Sequence, residues 1–443
     1  MSETATEFDP VHDDTPTDLP RPPVGVGWRR ELDRWRPHAI WIATTAMFLM
    51  VTKGPVFKMR FEAAAFSGDF IDDPWVQAAF VSGAAVVIVL CLPAASALRS
   101  DPLLVAAMAA FIGMIIVSGL WSVNSARSVE QGVMMAVGTV AALLAGASMS
   151  RLGLVTALAV AVHAGVLASI FARWREWPLA LDRNDDLAGV YFNRNSLGPV
   201  ALIAAITAGV LLAVAVRERR WLLAAALVVF AVVDLWVWWM SGSLTPVFGV
   251  IVAGVAVAVF VLTLPGPGQQ LRRRIAIAVG GGSIVFAVSG VVARSTIASR
   301  LDRSPTLSGR TEIWDVVMQF VGERPVQGWG FLATWTRPEI IDALADQYGR
   351  EVFEAHSGFF EVLLGVGVVG LLAMIAAVSL ALLRTTTAVW RDPDVLGVFL
   401  FGAVVYAVAL NFGETMVGAN LLPWTLLAVG TGRAVHELGR PST

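Results

Sequence analysis

Arg310 and His356 are the residue types from which group transfer at a membrane surface can be built. A guanidinium holds a diphosphate through charge-assisted hydrogen bonds, and an imidazole accepts a proton at neutral pH. Both lie in one polar stretch of an otherwise apolar chain. It reads SGRTEIW at 308–314, GERPVQGWG at 322–330 and AHSGFFEVLLGVGVVG at 355–370. Together they predict chemistry on an anionic, lipid-linked substrate. Each has a plainer use alone: a histidine at a helix start as a surface or capping group, an arginine as a snorkelling cation.

Arg173, Arg175, Arg183 and Arg194 surround a second loop at 173–194. Singly they would solvate it; converging at the bilayer edge, they suit a diphosphate that needs several donors. In YFNRNSLG at 191–198, Asn193, Arg194 and Asn195 are candidate headgroup ligands, against the simpler reading of an Asn-rich turn with Ser196 in a cap. Asn411 and Glu414 occupy the last outward turn, where Glu414 either pairs with an outer-loop arginine or shapes the substrate cleft. Asp72 with Asp73, and Asp182 with Asp185 and Asp186, are the carboxylates that suit a divalent ion. Adjacent loop acids are usually just solvated, and no metal site or cofactor is assigned. The chain has no HExxH, paired CxxC or P-loop, which argues against a zinc protease or an ATP-driven pump.

These residues need a bundle to position them. Mean hydropathy is +0.70 and 56% of residues are hydrophobic, which excludes an ordinary soluble domain. The apolar blocks reach the roughly 20 residues that a helical crossing takes, rather than alternating as a barrel would. The fold class is an all-α polytopic membrane protein. Twelve spans are predicted near 38–52, 75–97, 102–121, 129–149, 153–172, 195–216, 221–240, 244–264, 275–293, 357–383, 396–411 and 416–433. A net charge of −2 gives no sign of nucleic-acid binding, and the single cysteine, Cys91, packs within an apolar block.

The chain divides into a tail at 1–37, spans one to nine at 38–293, a large outer loop at 294–355, spans ten to twelve at 356–435, and a short tail at 436–443. Residues 1–27 are acidic and Pro-rich, and read as a disordered tail. Residues 28–36 (WRRELDRWR) suit an interfacial helix on anionic lipid. Basic short loops at Arg99, Arg151, Arg217, Arg272 to Arg274, Arg384 and Arg391 alternate as the positive-inside rule asks, so both termini are expected in the cytoplasm. Pro265 to Gly268 makes a cytoplasmic turn. The long loops at 53–74, 173–194 and 294–355 then face outward.

In the large loop Ser308 caps a helix carrying Arg310, Trp314, Val317 and Val321 on one face. The bland alternative is an amphipathic helix lying on the membrane, with Trp314 in the interface belt. A cation in the first turn opposes the helix dipole, which a bound anion would offset. A second polar helix is expected within 337–354. Gly365, Gly367 and Gly370 read as close helix packing. Asp234, inside a span, is costly unless paired.

As a set, SGRTEIW, the RPVQGWG turn and the histidine followed eleven residues later by Gly367 resemble the O-antigen ligase and polymerase family of bacterial envelope glycosyltransferases. With the twelve spans, the resemblance covers most of the chain. It implies a fold of the GT-C type and transfer of a glycan from undecaprenyl diphosphate to an acceptor hydroxyl, on a glycan, lipid or protein. That transfer needs no metal and inverts the anomeric centre, at the outer face of the bacterial plasma membrane. Arg310 would neutralise the departing diphosphate, His356 would be the general base, and Arg194 a second phosphate contact. Trp314 and Glu414 are expected at the substrate cleft. The family often has an arginine after a Ser-x-Ser at a helix start; here Ser241-Gly242-Ser243 precedes Leu244, and Arg173 or Arg175 would replace that cation. The family's His-Asn pair is His356-Ser357. A polymerase of the same family and a lipid-linked sugar transporter are the alternatives. The transporter would need charges near the bilayer middle, where Asp234 stands.

Overall fold

The computed structural model describes residues 25–52, 74–264 apart from Leu179, Arg183, Asn184 and Phe192, then 268–285, 288–289, 310–348, 352–415, 417 and 421–440. Arg183, Asp72, Asp73, Ser308, the N-terminal tail and most of the turn at 265–268 lie outside them. Fourteen helices among the described residues have eight residues or more: α1 Gly25–Val51, α2 Pro74–Cys91, α3 Pro102–Val117, α4 Ser125–Ser148, α5 Arg151–Trp174, α6 Arg194–Arg217, α7 Trp221–Ser241, α8 Thr245–Thr263, α9 Gln269–Ala276, α10 Arg310–Glu323, α11 Pro338–Tyr348, α12 Gly358–Arg391, α13 Val395–Leu410 and α14 Leu422–Leu438. No strand forms among the described residues. Among the described residues, helix stands at each of the twelve predicted spans, over part of 275–293 and 416–433, and eight helices, α2 to α8 and α12, are long and apolar enough to cross a membrane.

Local chemistry sets the helix starts. Asp101, Asn124, Ser150 and Asp394 each accept a bond from a backbone N–H in the first turn of α3, α4, α5 and α13. Small residues then let the inner helices close up. A Cβ on Gly146 of α4 would lie 2.1 Å from the Val429 carbonyl oxygen, and one on Gly432 of α14 2.0 Å from that of Leu143. With no hydrophobic drive between helices in lipid, this backbone approach is what holds such a pair. At one end of the bundle Arg151 joins three helix ends, bonding the Asp392 carbonyl (2.7 Å), Asp394 (2.9 Å) and Glu437 (2.6 Å). Arg384 there holds Asp101. Asp234 of α7 is paired after all, with His163 of α5 at 3.0 Å.

The opposite end carries the segment read from the sequence as the outer loop, called the outer segment below, and two features of its packing set its place. First, α10 turns an apolar face to the rest of this segment. Its Ile313, Val316, Val317 and Val321 form a small core with Trp329, Trp335, Ile340 and Leu344, while the Trp329 ring sits between the Arg324 and Arg337 guanidinium groups at 4.1 and 4.3 Å. Second, Gly365 and Gly367 receive a loop rather than a helix. Gly367 (φ 66°, ψ −169°) interrupts α12, and the 325–331 turn docks against the broken end. Trp329 and Gly330 donate N–H bonds to the Leu364 and Gly365 carbonyls at 3.0 and 2.8 Å, and Val368 N–H donates to Pro325 at 2.9 Å. These bonds satisfy carbonyls that a helix end otherwise leaves unpaired. Trp121 and Ser118 hold the turn from below, bonding Gln327 O and Phe331 N.

Candidate functional site

The 325–331 anchor fixes the outer segment over α12, and from it three chain segments meet. Arg310 opens α10, His356 stands two residues before α12, and Glu414 follows α13. Glu414 is buried and joins the other two: Oε1 accepts from Arg310 Nη2 at 2.6 Å, and Oε2 lies 3.2 Å from His356 Nδ1. A carboxylate only accepts, so the neutral His356 imidazole would carry its proton on Nδ1 toward Glu414, which leaves the lone pair on Nε2. Glu354 Oε1 is 3.3 Å from the same Nδ1. The outer-loop arginine expected for Glu414 is therefore Arg310.

Backbone contacts aim the imidazole. Gly358 N–H donates to the carbonyls of Asn411 (2.9 Å) and Glu414 (3.1 Å), and Ser357 Oγ to Asn411 O (3.2 Å). His356 itself has φ +49°, a conformation that costs about 1–3 kcal/mol and persists only where the surroundings impose it. Trp314 is turned inward: Nε1 donates to Ala355 O at 3.0 Å and its ring packs on Phe360 at 5.1 Å. It supports the histidine loop from a half-buried position; the sequence reading expects it at the substrate cleft.

Burial pushes the His356 pKa down, but the charge of Glu354, the hydrogen bond to Glu414 and the charge of Glu414 outweigh it against the opposing Arg310, leaving it above its ordinary 6.5. The interactions that raise it favour the imidazolium in the folded protein and so add to stability. This contribution is complete below pH 6.5 and is lost as pH rises through the raised value. The neutral imidazole a base requires appears over the same upward window. Glu354→Gln removes the largest raising influence, so the acid limb of any His356-dependent pH–rate profile is expected to move to lower pH. A limb unmoved in that profile would show that Glu354 does not tune the imidazole.

Arg194 pairs with Asp186 and, at 3.6 Å, with Asp182. Asn193 caps α6 by accepting from Asn195 N–H at 2.8 Å, a task that the plainer alternative for this segment gave to Ser196, and Asn195 Oδ1 accepts from Ser243 Oγ at 3.2 Å. The 187–195 segment is tied to the end of α7 through Leu187 N–H and the Met240 carbonyl, at the same end of the bundle as Glu414. Arg173 and Arg175 stand exposed at the C-terminus of α5, with Arg175 over the Trp174 ring at 5.9 Å. Glu354, His356 and Glu414 place three possible ligand atoms within 4.8 Å of one another, a set that would accept a divalent ion. There, Arg310 already supplies a positive charge to Glu414.

Sequence reasoning overlooked Glu354, Glu361 and His163. Glu361 is completely buried, its Oε1 accepting from Trp335 Nε1 and its Oε2 from Ala355 N–H at 3.0 Å. In the sequence it looks like a first-turn acid favoured by the helix dipole. For His163 the signal was present, since an ionisable residue inside a span calls for a partner.

Residues 187–375 match the O-antigen ligase family model, and no curated protein matches the chain. The matched segment contains Arg194, Arg310, Trp314 and His356; Arg173, Arg175 and Glu414 lie outside it. The chain thus carries an O-antigen ligase domain in a multi-pass membrane protein, with a ligase- or polymerase-type role in polysaccharide biosynthesis.

Proposed function

We propose that this bearer of an O-antigen ligase domain is a membrane glycosyltransferase of the bacterial plasma membrane. It moves a glycan from undecaprenyl diphosphate to an acceptor hydroxyl at the outer face, without a metal and with inversion. The observation that carries the reading is Glu414, which bonds Arg310 through one oxygen and His356 through the other. One carboxylate thereby fixes a phosphate-binding cation and a proton acceptor side by side. In this reading the opposite end, with Arg151 and Arg384, faces the cytoplasm, which the basic short loops support through the positive-inside rule.

In this mechanism the acceptor hydroxyl attacks the anomeric carbon and gives its proton to His356 Nε2. The bond from that carbon to the diphosphate oxygen breaks, and its electron pair leaves with the diphosphate. Negative charge builds there as the sugar departs, and a guanidinium already oriented meets it without reorganising. Arginine carries five donors, so Arg310 can engage phosphate while still bonded to Glu414. Arg194 would add a second contact by exchanging Asp182 and Asp186 for phosphate, and Asn193, Asn195, Arg173 and Arg175 would line the headgroup approach. Glu414 is a positioning residue here: it sets the tautomer that leaves Nε2 as the acceptor. Ligase and polymerase share this chemistry and differ in what supplies the hydroxyl.

The test is release of undecaprenyl diphosphate from a lipid-linked glycan by purified protein in chelator. Arg310→Ala is expected to lower turnover about 10²–10³-fold, the scale for losing one preorganised donor at a developing anion. Turnover that disappears in chelator and returns with a divalent ion would move the chemistry to the Glu354, His356 and Glu414 ligand set and sink the metal-free mechanism.

A further inference from the structure

We infer that Glu361 is a positioning residue for His356, acting with Trp335 to hold the Ala355 peptide; this rests on the proposed role of His356 as base. The Ala355 peptide units are gripped from two directions. Glu361 Oε2 accepts from Ala355 N–H at 3.0 Å, and Trp314 Nε1 donates to the Ala355 carbonyl at 3.0 Å. The second oxygen of Glu361 takes the indole N–H of Trp335, which belongs to the outer segment. The next residue is His356, with its positive φ. Glu361 therefore ties three things together: the first turn of α12, the outer segment and the backbone immediately before the imidazole.

Helix capping alone does not explain this arrangement. An acid in a first turn serves the dipole equally well when exposed, whereas Glu361 is 1% exposed. Taking a carboxyl group out of water is costly, and two hydrogen bonds recover only part of that cost. A smaller apolar residue would serve stability as well. What such a residue could not do is fix the Ala355 N–H, and with it the direction from which His356 leaves the backbone. A base displaced by about 1 Å loses about 10²-fold in rate.

Glu361→Gln keeps the shape but turns an amide NH₂ toward one of the two donors, replacing a hydrogen bond by donor facing donor. With undecaprenyl-diphosphate-linked glycan as the probe and the full-length protein in lipid, kcat is expected to fall about 10- to 100-fold while donor KM stays within about two-fold. On a His356→Ala background the same substitution should add no further loss, because a residue acting through His356 has nothing left to act on. A kcat within about two-fold of wild type, with His356→Ala inactive, overturns the inference. So does a loss that multiplies on the His356→Ala background or moves KM with kcat, since that marks a merely structural role. His356→Ala turning over like wild type is a different failure: the base assignment falls first and takes this inference with it. If Glu361→Gln does not fold, Trp335→Phe frees one carboxylate oxygen, keeps the Ala355 bond and is read by the same kcat–KM split.

Discussion

His356→Ala is expected to lower turnover about 10²–10⁴-fold, the usual share of a positioned general base, while the lipid-linked donor still binds within a few-fold. The separation follows from where the groups stand. In the proposed mechanism the donor's charge is met by guanidinium groups, and Arg310 would keep its 2.6 Å bond to Glu414 when the imidazole is gone. Arg310→Ala should behave oppositely in one respect, weakening donor binding as well as turnover. Glu414→Gln separates the roles again. An amide oxygen can still accept from only one of the two partners, so both the cation and the tautomer are loosened, and kcat should fall with the acid limb displaced downward. The wild-type profile supplies the internal check. Turnover should rise with pH through a value above 6.5, because Glu354 and Glu414 together outweigh burial at His356. A flat profile through that range, or His356→Ala retaining wild-type turnover, would remove His356 from the chemistry. Release of undecaprenyl diphosphate in chelator, against donor affinity measured separately, reads both arms.

The helices could be read from the sequence because a crossing needs about 20 apolar residues in one run, and that requirement leaves its mark locally. Arg310 and His356 were legible for a related reason: a cation and an imidazole in a polar island stand out in a chain this apolar. What joins them did not stand out. Glu414 lies in a different loop, and only the packing of α12 against α13 brings its carboxylate to both residues. The face of α10 that carries Trp314 was legible at helical spacing, but periodicity cannot say whether that face meets lipid or protein; the small core around Trp329 and Trp335 packs against it. Glu361 was hidden because position in a first turn already explains an acid there. Burial is a tertiary property with no local signature. The same holds for His163 and Asp234, which are far apart in sequence and meet between α5 and α7.

Gly367→Ala should disrupt the protein severely, for a reason that lies wholly in the backbone. The torsions at Gly367 fall in a region that is essentially glycine's alone, and occupying it with alanine costs about 1–3 kcal/mol before any contact is counted. The contact is worse. A Cβ there would sit 2.1 Å from the Val326 carbonyl oxygen and 2.3 Å from its carbon, both backbone atoms of the docked turn. Neither can swing aside as a flexible side chain could. Either the 325–331 turn leaves α12, uncovering the Leu364 and Gly365 carbonyls, or the helix straightens and fills the space the turn occupies. In both cases the small core that carries α10 loses its seat, and Arg310 with it. A destabilisation of about 4 kcal/mol or more is expected, together with loss of turnover in the fraction that still folds. Gly322→Ala is the matched control, in the same outer segment but inside α10, where an added Cβ meets nothing within 4 Å. Helix propensity predicts that it is neutral or stabilising by up to about 1 kcal/mol. The thermal midpoints of the two variants in one lipid environment decide the matter: if Gly367→Ala melts with Gly322→Ala and turns over normally, the broken helix is not what seats the outer segment.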